Sequence, residues 1–290
     1  MSDWPVGLST GCFYRTSIFD VLPLVCEGGF TMLEISSYPA HLDHHDLDAV
    51  ARARARLRDL GLETYSYHAP YGEAIDISAP DSERREHSRR EIKRAAETAA
   101  RLEARHLVLH PGPELAARLS LAEHRQRLVH AADVIDDVAR RCHALGTRLV
   151  IENMLPHLIF GGGADMLWLT GALDELDVGI CLDTGHAHLA GELNRLVHRF
   201  AGQLLMVHAN DNGGSHDDHW PPGEGDIGWH DLLTRLHDER FAGAFILELG
   251  GDTSKTPQEI LAAARQARHR LRRLGARIAL GERAPGVSPP

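Results

Sequence analysis

Leu204–Trp229 reads LLMVHANDNGGSHDDHWPPGEGDIGW. It starts as an apolar run, Leu204–His208, with the unbroken hydrophobicity of a strand buried on both faces. The run ends in a polar loop carrying Asn210, Asp211, His216, Asp217, Asp218 and His219. The loop closes through Pro221-Pro222-Gly223-Glu224-Gly225, and helical spacing begins at Trp229. Side chains able to ligate a metal or move a proton thus gather just past a strand's carboxyl end. Loops carry function when a rigid scaffold positions them. The rest of the chain decides whether that unit repeats and whether its copies converge.

Working outward, short apolar runs alternate with longer amphipathic segments eight times. Upstream, strands are expected at Val6–Gly11, Thr31–Ser36, Glu63–His68, His106–His110, Arg148–Glu152 and Val178–Asp183. The intervening helices are expected near Ile18–Glu27, Leu47–Leu60, Ser82–Glu103, Leu121–Leu145, Asp165–Leu176 and Leu193–Phe200. Gly61 and Gly146 follow two of them as stop signals. Downstream come a helix at Trp229–Phe241, a strand at Ala244–Glu248 and a helix at Pro257–Leu274, opened by Thr256 and a first-turn proline.

Strict alternation with continuously apolar strands implies an α/β protein with a parallel sheet buried on both faces. Eight units in 290 residues fit a single-domain (β/α)₈ TIM barrel over residues 1–280, with a loose tail at 281–290. An open doubly wound sheet would place a GxGxxG turn after the first strand, and Ser9–Ser17, STGCFYRTS, is not one.

The net charge of −10 opposes general nucleic-acid binding. Cys12, Cys26, Cys142 and Cys181 show no CxxC spacing, which fits a reducing compartment. The start of the chain does not read as a signal peptide, and no apolar run reaches the roughly 18 residues of a membrane span. A soluble, cytoplasmic protein without membrane partners is expected.

In a barrel of this class the active site lies at the carboxyl ends of the strands. Those ends carry Glu34, His68, His110, Glu152, Asp183 with His186, His208 with Asp217 and His219, and Glu248. A single strand-end histidine is more often a hydrogen-bonded rim residue than a ligand. Acids or histidines on seven of eight strands are another matter, because so many buried carboxylates repel one another unless a cation compensates them. Imidazoles and carboxylates together suit Mn²⁺ or Zn²⁺, with Mg²⁺ and Co²⁺ as further options.

The series His68-Ala-Pro-Tyr, His110-Pro-Gly, Glu152-Asn, Leu182-Asp-Thr-Gly-His186, His208-Ala-Asn-Asp211 and Glu248 resembles the xylose-isomerase-like TIM barrels, which include sugar isomerases and epimerases and endonuclease IV. For the sugar enzymes the resemblance implies one divalent metal held by Glu152, Asp183, His208 and Glu248. It also implies proton exchange by Glu152 and Glu248, and contact of His186 with substrate. For endonuclease IV it implies a trinuclear zinc site that also uses His68, His110, His186, Asp217 and His219, with Asp218 a rival to Asp217. The pattern from His208 through Pro221-Pro222-Gly223 to Trp229 is similar to the broad sugar phosphate isomerase/epimerase branch. The ketose 3-epimerases differ, since their seventh strand is followed by a substrate-handling Glu and Arg where this chain has Ala-Asn-Asp-Asn.

The expected function is therefore a metal-dependent isomerase or epimerase of a small carbohydrate, working by proton transfer through a metal-stabilised enediolate. The alternative is a multinuclear zinc phosphodiesterase. Glu34 and Trp220 are expected to touch substrate, and Trp168, Phe13 and Tyr14 are further candidates for an apolar wall. Glu224 is expected to be structural. A homodimer is the assembly that the resemblance suggests.

Overall fold

The computed structural model describes residues 4–114, 119–173, 177–251 and 254–282. Eight parallel strands close into a barrel in sequence order: β1 (Val6–Ser9), β2 (Met32–Ser36), β3 (Glu63–His68), β4 (His106–Leu109), β5 (Arg148–Glu152), β6 (Gly179–Asp183), β7 (Leu204–Ala209) and β8 (Ala244–Leu247). Closure comes from β8 pairing with β1, with Val6 opposite Phe245 and Leu8 opposite Leu247.

Around the barrel lie α1 (Ile18–Glu27), α2 (Pro39–Leu42), α3 (Leu47–Asp59), α4 (Ser82–Arg101), α5 (Leu121–Leu145), α6 (Gly163–Ala172), α7 (Thr184–Leu189), α8 (Leu193–Arg199), α9 (Trp229–Asp238) and α10 (Pro257–Ala279). Their ends follow from local chemistry. Ser120 with Glu123 and Thr256 with Glu259 form capping boxes at α5 and α10. Such caps are each worth about 1 kcal/mol. Gly146, at φ 77°, terminates α5 in the left-handed conformation that glycine adopts without strain. On α4 the buried residues Ser88, Ile92, Ala95, Ala96 and Ala99 recur at helical spacing, leaving the charged face outside.

The side-chain period of two along a strand gives the barrel its two inner layers. Lower inside it, Met32, Val108, Val150, Cys181, Met206 and Ile246 belong to one buried cluster with Tyr65 and Ala244. Two residues further along each of those six strands, on the same inward side, stand Glu34, His110, Glu152, Asp183, His208 and Glu248. The alternate residues, such as Leu33, Ile35, Leu107, Ile151, Leu182 and Leu247, belong to the larger core between barrel and helices.

Several element boundaries differ from the sequence reading. The first strand stops at Ser9 and runs into a tight turn, Thr10–Phe13. Two short helices, α2 and α7, were not expected, because segments of four and six residues carry too little periodicity. The final helix continues past Leu274 to Ala279, since Gly275 is buried against the core and does not end it. The helix after β5 is displaced to Gly163–Ala172; the last part of its expected range, 174–176, lies outside the described residues. Most of the expected tail, 283–290, also lies outside them. Among the described residues, no helix is long and apolar enough to cross a membrane.

Candidate active site

Glu152 is the centre of the barrel mouth. Its Oε2 lies 3.3 Å from both His68 Nε2 and His110 Nε2, and its Oε1 lies 3.0 Å from His208 Nδ1. Glu248 Oε2 approaches the same His208 nitrogen at 3.2 Å. Asp183 caps α7, its Oδ1 accepting from the His186 backbone N–H at 2.7 Å, so the turn Asp183-Thr184-Gly185-His186 swings the imidazole over the mouth. His186 Nε2 and His219 Nε2 then meet Asp217 Oδ2 at 3.4 and 3.1 Å.

These residues fall into three groups whose ligand-type atoms lie within 4.8 Å of one another: His68/His110/Glu152, Glu152/Asp183/His208/Glu248 and His186/Asp217/His219. The structure thus brings together all nine residues expected to ligate. Asp217 is the acid that faces the imidazoles; Asp218 turns its carboxylate to the Gly213 N–H instead. In a tetrahedral zinc site, bonds of about 2.0–2.2 Å put neighbouring donors about 3.3 Å apart. The carboxylate–imidazole contacts above, 3.0–3.4 Å, have that spacing. Glu248 Oε2 and Asp217 Oδ1 are also buried without a hydrogen-bond partner. Orphaned anionic oxygens among imidazoles suit a divalent cation, so the residues fit one.

The electrostatics agree. Burial pushes the Asp183 carboxyl up to about 6, with the Glu248 and Glu152 charges adding and His186 opposing. Burial also disfavours ionised Glu248, but His208 draws it down to about 2. For the imidazoles, burial lowers the pKa while the carboxylates raise it further. His110 reaches about 9 through Glu152 and Glu114, and His186 about 10 through Asp183 and Asp217. His219 reaches about 10 through Asp217 and Glu248. Without a cation, the cluster recruits protons as its counter-charge.

The loop after β7 is built around the buried Asp211. Its carboxylate accepts from the N–H groups of Asn212, Gly223 and Ile227 and from Trp229 Nε1. Two backbone bonds of 2.8 Å tie Asp211 to Trp220. The result holds His219 at φ 47°, a left-handed backbone uncommon outside glycine, with its Nδ1 2.9 Å from the Glu248 carbonyl oxygen.

The cleft over the mouth has a volume of about 310 Å³ and is lined by Tyr71, His110, Glu114, Glu152, Met154, Leu155, His157, Leu158, His186, Asp217, His219 and Glu248. Two residues expected to touch substrate are not in this lining. Glu34 is fully buried below the mouth, where it accepts from Ser9 Oγ, Ser66 Oγ and the His208 ring. Trp220 faces outward, 41% exposed, as does Trp168. Of the other wall candidates, Phe13 is core and Tyr14 packs on Tyr38. Glu224 is exposed on the loop. The actual apolar wall, Tyr71, Met154, Leu155 and Leu158, was missed. Tyr71 was available as the last residue of the His68–Tyr71 motif; the others sit on an irregular segment without periodicity.

Residues 24–274 match the family model described as xylose isomerase-like TIM barrel. The chain belongs to that family. One relative, a probable endonuclease 4 of Nitratidesulfovibrio vulgaris strain Hildenborough, is 30% identical over 220 residues, 68% of this chain and 73% of the relative. Among solved structures, a D-tagatose 3-epimerase-like protein superposes with a TM-score of 0.80 at 20% identity, covering 96% of this chain and 99% of its own. The IolI protein, solved with a bound zinc atom, gives 0.78 at 18% identity over 92% and 97%. At such identities the structural likeness establishes the shared barrel.

Proposed function

We propose that this protein is a divalent-metal-dependent isomerase or epimerase of a small polyhydroxylated carbonyl compound. The observation that carries the reading is the placement of Glu152 and Glu248 about His208 Nδ1, at 3.0 and 3.2 Å, beneath a cleft of about 310 Å³. A cleft of that size suits a sugar-sized molecule. Its described lining contains no Lys or Arg and includes Glu114, Asp217 and Glu248, a poor surface for a polyanion.

Glu152, Asp183, His208 and Glu248 would hold the cation, which when bound supplies Lewis acidity toward a substrate oxygen. Glu248 is the best-placed proton acceptor, because His208 holds its carboxyl ionised and it lines the cleft. Glu152 is the second carboxylate available for proton exchange, and His186 presents its Nε2 edge to the cleft for a substrate hydroxyl. Tyr71, Met154, Leu155 and Leu158 restrict water on the other side.

A second reading, multinuclear hydrolysis of a phosphodiester, is favoured by one observation: the groups His68/His110/Glu152 and His186/Asp217/His219 are complete, and Glu152 joins the first to the central group. Sequence likeness to endonuclease 4 proteins supports it. Metal counting together with two assays decides. One divalent ion per chain, with deuterium from D₂O entering the α-carbon of an aldose or ketose, supports the isomerase. Three zinc ions with incision of abasic DNA, and no exchange into any sugar tested, overturns it in favour of the hydrolase.

A further inference from the structure

Glu34 lies outside the cleft and is absent from the ligand groups, yet it is a fully buried carboxylate. Its surroundings are specific. Ser9 Oγ donates to Oε1 at 2.9 Å, Ser66 Oγ donates to Oε2 at 2.8 Å, and His208 Nε2 lies 3.0 Å from Oε2. Three strands, β1, β3 and β7, therefore supply its partners. The β2–β3 register shifts at Leu33/Glu34 because β3 carries an extra residue, Tyr65, and this irregularity sets Ser66 directly opposite Glu34. Among the described residues, no Lys or Arg pairs with Glu34; the His208 ring is its sole ion-pair partner.

Both Glu34 oxygens already accept from serine hydroxyls, so toward His208 as well the carboxylate offers an acceptor. Facing one, His208 Nε2 must carry a proton. In a neutral ring the lone pair is then on Nδ1, the nitrogen turned toward Glu152 Oε1 and Glu248 Oε2. We infer that Glu34, clamped by the Ser9 and Ser66 hydroxyls, is a positioning residue that fixes the tautomer and ring orientation of His208 so that Nδ1 faces a cation. This inference rests on reading Glu152, Asp183, His208 and Glu248 as a cation site. Its chemistry is that of a buried ligand held from behind by a carboxylate, an arrangement whose loss typically weakens metal binding about 10–100-fold. Glutamine at this position is nearly isosteric, but it presents an N–H where the wild type presents an acceptor. Turned toward His208 Nε2, that amide would move the ring proton to Nδ1 and block it.

The test is Co²⁺ binding to the metal-free full-length protein, followed by absorption and by competition with Zn²⁺, in wild type, Glu34→Gln and Ser66→Ala. It is paired with ¹⁵N spectra of the His208 ring in the zinc-loaded proteins. Glu34→Gln is expected to bind Co²⁺ about 10–100-fold more weakly at the tightest site and to shift the Nε2–H signal of His208, whose carboxylate acceptor has been removed. Ser66→Ala removes one clamp and is expected to weaken binding a few-fold. If Glu34→Gln fails to fold, Ser66→Ala decides by itself. Unchanged affinity and an unchanged His208 spectrum in a folded variant overturn the inference while leaving the cation site intact. A wild-type chain that takes up no Co²⁺ overturns the cation-site reading, and this inference with it.

Discussion

Two parts of the mouth carry similar side chains and are built differently. Glu152, Asp183 and His208 project from the barrel strands, and Glu248 follows directly on β8. Asp217 and His219 instead stand on a loop after β7, and only His186, on α7, ties their group to a strand end. The first set inherits its positions from the pairing of neighbouring strands, as where Asp183 lies opposite His208. The second depends on one buried carboxylate, Asp211, which gathers four N–H donors from Asn212 to Trp229. The chemistry of the central set is thus bound to the stability of the whole barrel, while that of the loop set has its own local support and can be removed separately.

Changing Glu152 should have the largest effect, because this residue belongs to both strand-borne groups. Glu152→Ala is expected to lower turnover by at least about 10³-fold and to reduce bound metal, measured by steady-state kinetics and elemental analysis. If metal content stays at the wild-type value, Glu152 is not the shared ligand. Glu248→Gln should lower turnover by about 10²–10⁴-fold through loss of proton transfer. Intact turnover in that variant would sink the isomerase mechanism.

Asp211→Ala separates the two regions most directly. It strands several buried N–H groups, at roughly 1–3 kcal/mol each, and we expect a fall in melting temperature of about 10 °C. Metal bound by the central group should survive; its loss would show that the regions are not independent. His219→Ala asks the smaller question of what the loop group does. A decrease of one bound metal with little change in stability supports a multinuclear centre, whereas an intact metal count with a raised KM makes His219 part of the substrate wall.

The smallest effect is in pH. His110 is held up to about 9, and His186 and His219 to about 10, in the metal-free chain. A ligating imidazole must be neutral, so metal uptake displaces protons. Affinity at these histidines should rise by about tenfold per pH unit for each proton displaced, from near neutral pH toward pH 9. Calorimetry in buffers of different ionisation enthalpy would count those protons. For folding the sign is opposite. Raised folded-state values stabilise the metal-free chain most below the ordinary histidine value of 6.5, and that contribution is lost as pH rises toward 9–10.

The barrel was legible because each strand is a short apolar run flanked by breakers, and because strict alternation leaves few topologies. The convergence of Glu152, Asp183, His208 and Glu248 was legible for a related reason: a polar residue at the end of a run buried on both faces needs an explanation. Glu34 met that criterion too, yet its role depends on Ser9 and Ser66, which are far away in sequence and chemically plain. The choice between Asp217 and Asp218 was equally beyond a linear reading, since it is made by the φ of 47° at His219 and the contacts around Asp211. The cleft wall at Met154, Leu155 and Leu158 follows no period, so its apolar residues looked like any others in a loop.

The two inner layers of the barrel have a further consequence. On six strands, one inward residue fills space, and the residue two positions on, toward the strand's carboxyl end, is an acid or a histidine. Filling and chemistry are thereby written in separate letters of the same short word. Exchange of a mouth residue leaves the hydrocarbon plug beneath it in place, so such a barrel can trade one reaction for another by changes at its rim while the same lower layer goes on holding the wall closed.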